Sequence, residues 1–198
     1  MSDAAAPSEP TADPLRERIE IGTPARLAVG LGTLIGVALV VHQLFNLRIG
    51  GVVLIEGRYL YSLGGLFLAL AFLCFRIDGA KRGAPSVLDW LLSSASLGTA
   101  GYLAWTAETN LMSGWEYAAP ETARYVAYAF FLMVLEATRR AGGLVLFLIV
   151  TLFALYPTFA GYVPDPFSGF QSSLSDTLAY HVYSSESSFG IPMKAFGG

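Results

Sequence analysis

A chain of 198 residues in which 54% are hydrophobic and only 14% charged falls well below the roughly 25% charged content of a soluble domain. Its net charge of -3 leaves no basic surplus for phosphate contacts and argues against nucleic acid as a partner, while a single cysteine, Cys74, excludes an internal disulfide framework and a thiolate metal cluster. With 21 glycines against 12 basic residues, the composition is that of an integral membrane protein whose solvent is the lipid bilayer.

Residues 1–23 read as a disordered cytoplasmic tail of Ala, Pro, Ser and acidic residues with no apolar period. Arg16, Arg18 and Arg26 then precede an apolar run that is longer than a signal-peptide core and lacks a small-residue cleavage site. An uncleaved first span follows. The transmembrane domain is expected over 24–161, with spans near 27–45, 59–75, 87–107, 121–138 and 144–160. Arg58 and Arg76 flank the second, and their long stems can reach the interface. Ser86 and Asp89 can cap the third, and Pro120 stands at the first turn of the fourth. Gly142 and Gly143 separate the fourth from the fifth, because one unbroken helix over both would far exceed the bilayer thickness.

Placing the N-terminus in the cytoplasm puts eight basic residues inside (Arg16, Arg18, Arg26, Arg76, Lys81, Arg82, Arg139, Arg140) against four outside (Arg48, Arg58, Arg124, Lys194). Residues 162–198 form an outer, periplasmic-side segment. It comprises a Pro/Gly turn, a short amphipathic helix with Leu174, Leu178 and Val182 on one face, and a tail. The fold class is therefore all-α: a polytopic helical membrane protein with four to five transmembrane helices and a short outer amphipathic helix.

Few side chains in the spans can do chemistry. Glu136 precedes Arg139 and Arg140 by three and four residues, the spacing of helix neighbours, so an ion pair at the inner interface is its simplest role. Glu56 and Arg58 lie two apart and need partners elsewhere, with Arg48 or Glu108 as candidates. His42 beside Gln43 is the polar pair of the first span and suits an interhelical hydrogen bond or, as the alternative, a proton relay. A self-sufficient carrier or membrane enzyme would have to bring His42 and Glu136 together. His42 and His181 make no recognisable metal pair, and no Walker, GxSxG or zinc-binding pattern occurs. Gly32 with Gly36, Gly65 with Ala69, and Ser94 with Gly98 are small-xxx-small steps suited to close helix packing. Trp90, Trp105 and Trp115 fall near segment ends.

Four ordered stretches carry a family resemblance: Val53-Leu54-Ile55-Glu56-Gly57-Arg58-Tyr59, Gly114-Trp115-Glu116-Tyr117-Ala118-Ala119-Pro120, Val134-Leu135-Glu136-Ala137-Thr138-Arg139-Arg140, and Tyr183-Ser184-Ser185-Glu186 leading into Phe189-Gly190-Ile191-Pro192. Together they resemble the N-terminal, small-subunit (4TM) part of the fused 4TM/12TM permeases of tripartite ATP-independent periplasmic (TRAP) transporters, of the type paired with TAXI binding proteins. The resemblance implies an anchor or stator subunit in a bacterial inner membrane, with no enzymatic activity and no cofactor. Its partners would be the large (12TM) permease subunit or domain and a periplasmic TAXI-type solute-binding protein. The system would drive ion-gradient-coupled uptake of a small organic solute, with ion and substrate sites in the large part. Candidate partner-facing residues are Glu56, Arg58, Trp115, Glu116 and Tyr117 on the outer side and Glu136, Arg139 and Arg140 on the inner side. Fused relatives continue beyond the Phe-Gly-Ile-Pro step, so a free-standing subunit, a split half and a fragment remain alternatives; Ser187 and Ser188 replace the glycine and aliphatic residue usual before that step.

Overall fold

The computed structural model describes residues 22–48, 54–77, 84–187 and 194–195. Nearly all of the expected tail, with Arg16 and Arg18, lies outside the described residues, as do Val53, Lys81, Arg82, Ser188 and the Phe189-Gly190-Ile191-Pro192 motif.

The described residues form helices without strands: α1 (Thr23–Leu44), α2 (Glu56–Cys74), α3 (Val87–Ser113), the single turn α4 (Trp115–Ala118), α5 (Glu121–Leu155) and α6 (Leu174–Tyr183). Apolar side chains run almost without interruption through α1, through α2 beyond Arg58, and through residues 125–135 and 144–155 of α5. In a medium without water the backbone of such segments satisfies itself only as helix. Three helical stretches are long and apolar enough to cross a membrane: Thr23–Leu44, Glu56–Cys74 and Glu121–Thr158. This is fewer than the four to five spans expected. α3 has 27 residues, but Ser93, Ser94, Ser96, Thr99 and Thr106 dilute its apolar content. The fourth and fifth expected spans are joined as α5.

The junction within α5 is Gly143, at φ 76° and ψ 180°, a backbone geometry that glycine adopts without a Cβ penalty. Phe131 stacks on the His181 ring with centroids 5.7 Å apart, and the Nε2 of that ring lies 2.7 Å from the Ala154 carbonyl. Along a straight helix, Phe131 and Ala154 would stand roughly 34 Å apart. The two arms of α5 therefore double back on each other at Gly143, and Phe147, Val150 and Ala154 of the second arm pack against the core. The break read from the Gly142-Gly143 pair is present.

α1 and α3 both run antiparallel to α2, and glycine lets the backbones come close. A Cβ added at Gly32 would stand 2.7 Å from Leu70 Cδ2, one at Gly36 3.4 Å from Leu66 Cδ2, and one at Gly65 2.0 Å from the Cβ of Ala100. The Ser94 and Gly98 step plays no such part, since nothing approaches within 4 Å of a Cβ at Gly98. The packed face of α3 is instead Ser93, Ser96, Ala100, Leu103, Ala107 and Asn110. The core is formed by Phe72, Leu103, Phe130 and Val182 where α2, α3, α5 and α6 converge. α1 stays peripheral, burying only Ala25, Gly32 and Gly36.

Gly65→Ala is expected to force α2 and α3 apart and destabilise the bundle by about 1–3 kcal/mol, with Ala100→Gly restoring the loss in the double variant. Gly98→Ala is expected to leave the midpoint unchanged or raise it, since alanine is the better helix former. Thermal unfolding in mild detergent, followed by circular dichroism, checks all three.

Candidate functional site

Polar side chains gather in two layers, one at each end of the bundle. At the first end, Ser86 caps α3: its hydroxyl accepts from the Asp89 amide at 3.2 Å, while the Asp89 carboxylate accepts from the Ser86 amide at 2.8 Å. This is a reciprocal capping box. The other carboxylate oxygen of Asp89 lies 2.7 Å from Arg140 Nη1, and the two side chains are 0% and 1% exposed. Arg140 Nε donates to Glu136 at 2.7 Å, Nη1 also donates to the Phe75 carbonyl at 3.3 Å, and the guanidinium lies 5.0 Å above the Phe72 ring. Glu136 accepts a two-pronged hydrogen bond from Arg139, at 2.8 and 2.7 Å.

One guanidinium thus joins the last turn of α2, the first turn of α3 and the end of the first arm of α5. Its charge lies at the carbonyl end of α2, where the helix dipole favours a cation, while Asp89 lies at the amide end of α3, where it favours an anion. The expected Glu136 ion pairs are present. The pairing of Asp89 with Arg140, 51 residues away, was not read from the sequence, where Asp89 appeared only as a cap.

At the opposite end, the Tyr61 hydroxyl donates to the Val182 carbonyl at 2.8 Å, and the Asn110 amide donates to the Tyr183 carbonyl at 3.1 Å. The Tyr183 hydroxyl donates to the Ala123 carbonyl at 2.8 Å, and burial pushes its pKa up, holding it as a neutral donor. Trp115 lies edge-on to Tyr183 with ring centroids 5.5 Å apart. These bonds fasten α6 to α2, α3 and α5. The amphipathic helix read from Leu174, Leu178 and Val182 therefore docks on its own chain: Leu178 and Val182 are buried, and Leu174 stays exposed. A turn with a cis Asp165-Pro166 peptide leads into it.

The candidate partner-facing residues divide accordingly. Glu56 and Glu116 line a cavity of about 190 Å³ whose floor includes Tyr61 and Asn110. Glu56 pairs with Lys194 at 3.1 Å. Arg58 turns to the Ala104 carbonyl at 3.1 Å and to Glu108 at 3.9 Å, one of the two partners anticipated. Trp115 is buried, whereas Tyr117 is exposed beside Tyr180. Trp105 is also exposed. Glu136, Arg139 and Arg140 are gathered in the ion-pair cluster. His42, on the stretch of α1 that packs near Tyr59 and Leu60, lies at the opposite end of the bundle from Glu136, and the two are not brought together. No group of three or more His, Cys, Asp or Glu side chains among the described residues could hold a metal.

Comparison with protein-family models, with curated proteins and with solved structures finds no match to this chain.

Arg140→Met is expected to cost about 3–5 kcal/mol, because Asp89 is left buried and unpaired. Adding Asp89→Asn should recover part of that loss, since asparagine removes the charge and can still accept the Ser86 amide. Arg139→Ala, at a half-exposed guanidinium, should cost under about 1 kcal/mol. Reversible unfolding of the four chains in mixed micelles gives the ranking.

Proposed function

We propose that this chain is the small anchor subunit of a TRAP-type transporter, holding a large permease subunit at fixed depth in a bacterial inner membrane while that subunit takes up a small organic solute, driven by an ion gradient. The observation that carries the reading is the matched spacing of charges on three helices. Arg58 and Arg76, Asp89 and Glu108, and Glu121 and Arg140 each lie 18 or 19 residues apart, with no acidic, lysine or arginine residue between them on α2 and α3. On α5 the stretch from Tyr125 to Leu135 is equally free of them. At 1.5 Å per residue each interval is roughly 27–28 Å, close to the roughly 30 Å of a hydrocarbon core.

Such a body registers its two polar layers with the two interfaces and offers no charged step for a solute between them. On this reading α1, α2, α3 and the first arm of α5 each cross the membrane, and the second arm returns from Gly143 toward the periplasmic side. The Tyr183 end faces the periplasm, where Glu116 and Tyr117 are available to a TAXI-type binding protein. The apolar surfaces left exposed on α1 and on the second arm, such as Leu27, Leu34, Val145 and Leu152, suit lipid and the large subunit.

Purification of the tagged chain from its native membrane in mild detergent is expected to recover a large multi-span permease subunit in equal amount. Recovery of the chain alone, or only with copies of itself, would overturn the proposal.

A further inference from the structure

The first two turns of α5 and the start of α6 enclose a recess of about 410 Å³ lined by Glu121, Arg124, Tyr125, Tyr128 and Ser175. It is separate from the cavity of Glu56 and Glu116, and the proposed anchoring uses only the position of Glu121 along α5, not the recess itself. We propose that this recess binds the headgroup of a primary-amine zwitterionic phospholipid, of the phosphatidylethanolamine class.

The site offers complementary chemistry for both charges of such a headgroup. Tyr125 and Tyr128 stand edge to face, with centroids 6.2 Å apart and planes at 86°, and so form a corner of two aromatic rings. Glu121 closes that corner: its Oε1 accepts the Tyr125 hydroxyl at 3.1 Å, leaving its other oxygen to accept from an ammonium group. A cation in the corner meets a carboxylate and an aromatic face together.

Between Glu121 and Tyr128 on the same helix, Arg124 is held in place by the Ala119 carbonyl at 3.0 Å, by the Ser175 hydroxyl at 3.3 Å, and by Asp176 at 4.0 Å. A guanidinium has five N–H groups, so Arg124 keeps donors for a phosphate oxygen. Tyr128 donates to the same Ser175 hydroxyl at 2.7 Å, which fixes the wall between the two subsites.

Two features select a zwitterionic lipid. Glu121 and Asp176 against Arg124 leave the neighbourhood with an acidic excess, which disfavours a headgroup that is purely anionic. On the same face of α5, Tyr125 and Leu132 are each 61% exposed and stand seven residues apart, two turns down the helix. Acyl chains therefore find an apolar track directly below the recess. This inference rests on the membrane setting and not on the presence of a large subunit, so it is testable on the chain alone.

The full chain, purified and reconstituted in nanodiscs containing equal dioleoyl-phosphatidylethanolamine, -phosphatidylcholine and -phosphatidylglycerol, would be released and its retained lipids weighed by native mass spectrometry. Retention of the ethanolamine lipid over the glycerol lipid by about tenfold is expected. The choline lipid, whose nitrogen has no N–H to donate, should fall between them. Glu121→Gln and Tyr125→Leu, both at exposed positions, should bring ethanolamine retention down to the glycerol level without moving the unfolding midpoint. Equal retention of the ethanolamine and glycerol lipids by the unsubstituted chain overturns the proposal, and that comparison needs no variant. So does undiminished ethanolamine retention in both variants.

Discussion

The buried pair of Arg140 and Asp89 is the constraint around which the bundle is arranged. Removing two charges from water is costly, and in a dry interior the cost is offset only when geometry is good and every remaining polar site is served. Here the capping box holds Asp89, and Glu136, the Phe75 carbonyl and the Phe72 ring engage Arg140, whose Nη2 alone is buried without a hydrogen-bond partner. These contacts come from three helix ends, those of α2, α3 and the first arm of α5. The ion pair therefore specifies where α2 must stop, where α3 must start and how far the first arm of α5 must run. Gly143 then turns the chain within three residues of Arg140, so the reversal happens at a point whose position is already fixed.

Close backbone approach does the complementary work in the apolar middle. Lipid tails are as apolar as leucine, so helices gain little by hiding leucine from lipid, and dispersion contacts between small residues become the main source of packing energy. Gly65 against Ala100 and Gly32 against Leu70 supply this. At the far end, Tyr61, Asn110 and Tyr183 hydrogen-bond to or around the backbone of α6. Ion pairs at one end, small residues in the middle and aromatic hydroxyls at the other make α2, α3, α6 and the first arm of α5 a stiff unit. α1 is attached to it by a narrow strip.

Much of this was legible in the sequence because it is local. The three- and four-residue spacing of Glu136 from Arg139 and Arg140, the capping role of Ser86 and Asp89, the helix-breaking Gly142-Gly143 pair and the apolar period of α6 each need only a few neighbouring residues to be read. What was missed depends on contacts across the fold. Asp89 and Arg140 are far apart in sequence, and Asp89 already had a sufficient local explanation as a cap. Ser94 and Gly98 have the right spacing for close packing but lie on the exposed side of α3, since spacing alone does not tell which face of a helix is covered. Trp115 sits near a segment end, as interfacial tryptophans do, yet Gly114 at φ 61° turns the chain so that its ring packs beneath Tyr183. Trp115, Glu116 and Tyr117 are consecutive in sequence but face three different environments for the same reason.

Fixed depth in a membrane requires both a ruler and two stops, and the proposed anchoring finds candidates for both in this chain. The intervals of 18 or 19 residues on α2, α3 and α5 are the ruler. The stops differ in kind. At the Asp89 end, an internally neutralised cluster ties up its own charges and leaves little of them for the headgroups to engage. At the Tyr183 end, partly exposed groups, namely Glu121, Arg124 and the Tyr125 and Tyr128 rings, present both signs of charge at the level where headgroups lie. If the second layer binds lipid as proposed, a body stopped by an inert layer on one side and a lipid-binding layer on the other is held mainly by the leaflet that it grips. On the proposed reading such an asymmetry suits a stator, because a load from a moving neighbour would be resisted on one face by groups suited to hold lipid and on the other by the cost of drawing the partly exposed Glu136 and Arg139 into hydrocarbon.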